Sequence, residues 1–89
     1  MELIPISTST ATSSDFTLAD GQSTTIFLKD ADSNEVTPTA VALVQIKADT
    51  SYFTIGKLDV TNPGRVLQAP GTFRVLKFNS PVAFGVERL

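Results

Sequence analysis

Asp30, Asp32 and Asn34 stand at alternate positions, the spacing with which oxygen ligands open a calcium-binding loop. The rest of such a loop is missing. Glu35 occupies the place that needs Gly for a sharp turn, and Val41 the place of the bidentate Glu. The stretch therefore reads as a solvated connection between strands, and no metal or other cofactor is expected. Carboxylate-pair hydrolysis needs two acids in one cleft, and Asp49 with Asp59 is the pairing on which a small hydrolase would have to rest. The chain has no His and no Cys, which removes the usual nucleophile–base pairs and transition-metal cages. Its many Ser and Thr residues fall in the N-terminal stretch, at turns and on outward strand positions, where a hydroxyl bonds locally to backbone.

Arg74 and Lys77 with Phe73 and Phe78 imitate a single-strand-binding face of cations and aromatics. Strand alternation separates them, with Arg74 and Phe78 on one face and Lys77 and Phe73 on the other. That segment reads as a core strand with solvated charges. Gly56, Gly71 and Gly85 do not form a phosphate cradle, and Gly85 inside a strand marks a bulge or a close backbone approach. With these chemistries set aside, the expected action is binding or assembly, not catalysis.

The elements that would position these residues are short strands. Phe16 to Ala19 ends at Asp20-Gly21, a dipeptide suited to a hairpin reversal. Thr24 to Lys29 puts Ile26 and Leu28 on one face and Thr25 and Phe27 on the other, and meets a polar loop from Asp30 to Thr39. Ala40 to Ala48 carries a core face of Ala40, Ala42, Val44, Ile46 and Ala48, against Val41, Leu43, Gln45 and Lys47 on the opposite one. After Asp49-Thr50-Ser51 comes Tyr52 to Leu58, then a bend at Asn62-Pro63-Gly64 and a short strand, Arg65 to Gln68. A type II turn at Ala69-Pro70-Gly71 leads to a strand through Phe73 and Val75, and Val82, Phe84 and Val86 alternate along the last one. The sum is an all-β domain, a small antiparallel sandwich or barrel of seven to eight strands.

One domain is all that 89 residues allow. From Ser7 to Ser14 the chain is only Ser, Thr and Ala, with no apolar period, so residues 1–14 read as an extended or mobile arm and 15–89 as the domain. Nine acids and seven bases leave a formal charge of −2, with no adjacent cations, a poor footprint for nucleic acid. The first residues, Met1 to Pro5, lack the basic start and apolar run of a secretory signal, and no segment approaches a membrane span. A soluble protein with neither nucleic-acid nor membrane partners is the expectation.

More apolar surface is present than so small a core needs. Phe27, Val41, Leu43, Leu76 and Phe78 lie opposite the core faces, which points to subunit contacts and a homo-oligomer. The runs Val44-Gln45-Ile46-Lys47, Tyr52-Phe53-Thr54-Ile55-Gly56, Val66-Leu67, Ala69-Pro70-Gly71-Thr72-Phe73-Arg74-Val75 and Val82 to Glu87 resemble small structural proteins encoded among the head genes of tailed bacteriophages. The resemblance covers roughly Asp15 to Leu89. It implies a β-domain on a capsid surface, as a decoration or cement protein, or within a fibre or tail, with capsid or other virion subunits as partners and the virion as its location. On that reading Phe27, Val41, Leu43, Leu76 and Phe78 make the assembly contacts, and Leu3, Ile4 and Ile6 anchor the arm, which could add a strand to a neighbour's sheet edge. The rival reading is a monomeric binding module for a glycan or a protein receptor. Sugar platforms favour exposed aromatics, and Tyr52 is the chain's one polar aromatic.

Overall fold

A computed structural model describes residues 1–30, 36–68 and 70–89. Among them are nine strands and no helix: β1 (Glu2–Ser7), β2 (Ala11–Thr12), β3 (Phe16–Leu18), β4 (Ser23–Asp30), β5 (Val41–Ala48), β6 (Ser51–Asp59), β7 (Gly64–Gln68), β8 (Gly71–Lys77) and β9 (Phe84–Arg88). All pairings are antiparallel. A four-stranded sheet runs β1-β9-β4-β7, and a five-stranded sheet runs β2-β8-β5-β6 with β3 also on β8. The two pack face to face as a sandwich, the sandwich alternative of the sequence reading, with more strands than the seven or eight expected.

Alternation decides which side chains enter the space between the sheets. Ile26 and Leu28 of β4, Phe84 and Val86 of β9 and Ile4 of β1 meet Ala42 and Val44 of β5, Leu58 of β6 and Phe73 and Val75 of β8. Phe16 and Leu18 close the layer, with the Phe16 ring centroid 5.9 Å from that of Phe73. Burying each large side chain of this set contributes roughly 1.5–3 kcal/mol. The small Ala40 and Ala42, both fully buried, let the larger rings fill the middle.

The first fourteen residues are not an arm. β1 pairs with β9, β2 pairs with β8, and Ile4 is 1% exposed. A Ser/Thr stretch suffices here because the ladder uses backbone groups, and Ser13 supplies more: its N–H donates to Val75 O at 2.8 Å and its Oγ accepts from Val75 N at 2.9 Å. Gly85 is what lets β1 lie so close. Register shifts flank Ile4, and a Cβ on residue 85 would fall 2.5 Å from Ile4 O and 2.9 Å from Ile6 N, so the expected close approach is the β1 backbone crossing over it.

Asp20-Gly21 makes a turn but not a hairpin. Gln22 N donates to Ala19 O at 3.0 Å, with Gly21 at φ 82°, yet β3 pairs in the five-stranded sheet and β4 in the other. The reversal is a corner between layers. The β5–β6 connection is the true hairpin, with Ala48 opposite Ser51 and Asp49 at φ 57°, the positive value that the tight turns matching strand twist require. Asp59 Oδ1 accepts from the N–H groups of Thr61 and Asn62 at 3.0 and 2.9 Å and so turns the chain across to β7. Val82, expected in the last strand, precedes β9 and is exposed. The Ala69-Pro70-Gly71 turn involves Ala69, which lies outside the described residues.

Lys77 departs furthest from expectation. The expectation is a solvated charge, but Lys77 is on the inner face of β8 and 0% exposed. Its ammonium donates to Phe84 O at 2.9 Å, to Ser7 Oγ at 3.0 Å and to Ser7 O, and it sits 4.4 Å from the centroid of the Phe84 ring. All three protons are thus placed on neutral acceptors of the opposite sheet. Burial lowers its pKa from the ordinary 10.5, because desolvation penalises the charged form. The side chain is a polar tie between the layers.

Candidate functional site

The outer face of the five-stranded sheet is the surface on which the sequence and the fold place the most unspent chemistry. Residues facing away from the core form rows across the strands. Leu76 of β8 lies opposite Leu43 of β5, and the row continues to Thr12 of β2 on one side and Lys57 of β6 on the other. Val41 pairs with Asp59, and Phe78 joins beside it as its N–H donates to Val41 O at 3.0 Å. Val41, Leu43 and Leu76 are half-buried and Phe78 is 40% exposed. One end of this face is therefore an aliphatic and aromatic ladder that the described residues cover only in part.

The other end is polar and ordered. Gln45 lies opposite Arg74 and Thr54, accepting from Arg74 Nε at 2.8 Å through Oε1 and donating from Nε2 to Thr54 Oγ1 at 3.3 Å. The Arg74 guanidinium stacks 3.4 Å from the centroid of the Tyr52 ring, a contact that holds the ring across β5. Tyr52 Oη donates to the Asp15 carboxylate, 2.7 Å from Oδ2, and Lys47 Nζ is 5.8 Å from the ring centroid. The Asp15 hydrogen bond holds the Tyr52 phenol above its ordinary pKa of 10.0. Sequence reasoning singled out Tyr52 and Arg74 separately but missed this cluster. Asp15, Arg74 and Tyr52 come from three strands or their flanks, and no local spacing brings them together.

The fold divides the expected assembly residues. Val41, Leu43, Leu76 and Phe78 share the face just described. Phe27 lies on the outer face of the other sheet, opposite Glu87 and Gly64. Ile4 is core, Leu3 packs against the core, and Ile6 is exposed on β1; these three belong to the domain's own sheet. Phe53 and Ile55 on β6 and Val66 on β7, which were not singled out, are more exposed, at 56%, 42% and 57%.

The sequence's chemical candidates do not converge. Asp49 sits in the hairpin turn at one end of β6 and Asp59 at the other, on the order of 25 Å away at about 3.3 Å per residue. No carboxylate pair forms, and Asp59 is occupied by Thr61, Asn62 and Lys57, whose Nζ is 3.5 Å from Oδ2. Asp30 ends β4, while Asp32 and Asn34 lie outside the described residues; among the described residues no three His, Cys, Asp or Glu side chains stand together to hold a metal. A shallow depression of about 300 Å³ is lined by Lys57, Asn62, Gly64 and Arg65. A Cβ at Gly56 would collide with the Arg65 guanidinium, so that arginine is packed flat against β6. No protein family, curated protein or solved structure matches the chain.

Proposed function

We propose that this chain is a non-catalytic virion structural protein, a capsid decoration or cement subunit that associates with copies of itself and with a capsid lattice. The observation that carries the reading is the Leu43–Leu76 ladder with Val41 and Phe78, an apolar strip on a sheet face that the described residues cover only in part. Magnitudes favour a lattice over an isolated pair. Four half-exposed side chains, at roughly 25 cal/mol per Å² of apolar area, contribute a few kcal/mol, while joining two free molecules costs about 4–15 kcal/mol in lost motion. Repetition of a weak contact over many sites overcomes that deficit by effective concentration. The cysteine-free, mildly acidic composition suits the role as well.

The test is occupancy. Particles purified from the cells that produce this protein should contain it in stoichiometric ratio to the major shell subunit by quantitative mass spectrometry, and the Leu43→Glu/Leu76→Glu double variant should be depleted from them about tenfold or more, a loss of about 1.4 kcal/mol in all. Particles devoid of the chain would overturn the virion reading. The polar end of the same face supports a second reading, a glycan- or receptor-binding module of a fibre or tail, since Tyr52, Arg74, Gln45 and Asp15 offer fixed donors and acceptors beside an aromatic ring. Arg74 already covers one face of that ring, which leaves less room for a sugar to stack. Selective retention on a glycan array, lost in Tyr52→Ala, would favour this alternative.

A further inference from the structure

The sandwich has open edges, and they are not equally defended. β1 carries Pro5, a charge at Glu2 and a bulged path over Gly85. β7 has only five residues between Pro63 and Pro70, and on the far side of β8 the sheet ends in β2 and β3, two and three residues long. Each is a recognised way to discourage strand addition. β6 is nine residues long, holds no Pro, and exposes Phe53 and Ile55. Its defences lie at one end only, beyond the register shift at Ile55, where the Arg65 guanidinium on Gly56 and Lys57 close the edge. The stretch Ser51 to Ile55 stays open.

We propose that the β6 edge is a two-fold homodimer interface, with antiparallel pairing centred on Phe53. This deepens the assembly reading, on which it rests, by naming the self-contact. The occupant is a second copy because the strand is self-complementary in that register: Phe53 faces Phe53 of the second copy, Tyr52 faces Thr54, and Ser51 faces Ile55. Lys57, which within its own copy stands 3.5 Å from Asp59, then approaches the hairpin turn of the second copy, where Asp49 makes no ion pair among the described residues, and the symmetry creates that further opposite-charge contact twice. Neighbouring registers lose it. Centring on Lys57 opposes like charges, and centring on Ile55 puts the register shift on the axis. The product is a continuous antiparallel sheet through both copies, with the Phe53 pair, hidden from water, at its centre.

Sedimentation across about 10 µM to 1 mM, the range of weak homodimers, should show mass rising from 9.5 kDa toward twice that value. Phe53→Glu should hold the monomer mass throughout with an unchanged circular-dichroism spectrum, while Leu43→Glu should still dimerise. Because the chain has no cysteine, Phe53→Cys gives a second reading: residues directly opposite across a two-fold axis lie close enough for a disulfide, so mild oxidation should yield a covalent dimer, and the comparably exposed Val66→Cys should not. A strict monomer over the whole range, or equal cross-linking of the two cysteine variants, would overturn the β6 interface without touching the particle-occupancy test. Association lost in Leu43→Glu but kept in Phe53→Glu would also overturn it, and would move self-assembly to the sheet face.

Discussion

On the outer face of the four-stranded sheet, Lys29 donates to Glu2 and Glu87 at 2.9 and 3.1 Å, and the N-terminal ammonium stands 3.6 Å from Glu87. The first and last strands are laced there as well, Met1 N donating to Arg88 O and Arg88 N to Met1 O at 2.7 and 2.8 Å. The outer face of the five-stranded sheet is built otherwise, from an apolar ladder at one end and a stacked Arg74–Tyr52 pair at the other. The first face spends its charged side chains and the chain ends on closing the molecule onto itself, with Val66 exposed and Phe27 half-buried beside them. The second holds a continuous row of apolar groups that the described residues cover only in part. What distinguishes the sheet without the chain ends is that its apolar groups form an unbroken row across two strands, as a partner would need.

The largest effect on this contrast should come from Gly85→Ala, which attacks the closure. The new Cβ would meet Ile4 O at 2.5 Å and Pro5 C at 3.1 Å, backbone atoms that cannot rotate away. β1 must lift from β9, taking the buried Ile4 and the Glu2–Lys29 pair with it, so stability should fall by about 3–5 kcal/mol. Urea denaturation measures this directly. A loss below about 1 kcal/mol would mean that β1 is not held down across Gly85.

Lys77→Ala should rank next, at about 2–3 kcal/mol, because it leaves the Ser7 and Phe84 carbonyls without their donor and opens a cavity between the sheets. Lys77→Met, which keeps most of the volume, should cost less. The pH dependence has a definite sign. A Lys whose folded pKa is lowered makes the charged form a penalty on the fold, fully present below that folded value and relieved as pH rises toward 10.5. The stability gap between wild type and Lys77→Met should therefore shift in favour of wild type as pH climbs through that window. A gap that stays flat from neutral pH to 10.5 would contradict a buried, desolvated ammonium.

Strands with a clean period of two, such as Ile26–Leu28 in β4 and Phe73–Val75 in β8, were legible because burial follows alternation whatever the strand pairs with. Partners were not legible. Asp20-Gly21 encodes a reversal, but whether the chain returns in the same sheet depends on which distant edge is vacant. The N-terminal stretch misled because Pro5 and the register shifts on either side of Ile4 break the alternation of β1, while β2 pairs through backbone groups and Ser13 hydrogen-bonds Val75, neither of which leaves an apolar signature. Val41, Leu43, Leu76 and Phe78 could be assigned to outward faces by alternation, and the β5–β8 register brings them side by side. Lys77 could not be read as buried, since its acceptors come from Ser7 and Phe84, 70 and 7 residues away. The Asp15–Tyr52 contact spans 37 residues and was hidden for the same reason.

The smallest expected effect separates the two regions by the origin of their electrostatics. Hydrogen bonding from Lys29 holds Glu87 below its ordinary pKa of 4.5, and on the five-stranded sheet the backbone N–H of Asn62, followed by that of Thr61, holds Asp59 below 3.8. Each carboxylate binds protons more tightly in the unfolded chain, so each contributes stability that is present above its unfolded value and lost as pH falls through its lower folded one. Glu87→Gln and Asp59→Asn should each flatten the acid limb of the stability profile. Salt should tell them apart. At about 1 M salt the screening length shrinks to about 3 Å, which weakens the ion pairs of Glu87 with Lys29 and the N-terminus, and the Lys57–Asp59 pair too, while the turn N–H groups that dominate at Asp59 stay fixed around it. The Glu87→Gln difference should therefore shrink with salt and the Asp59→Asn difference persist; equal salt responses would show that the closed face is not held by its charges.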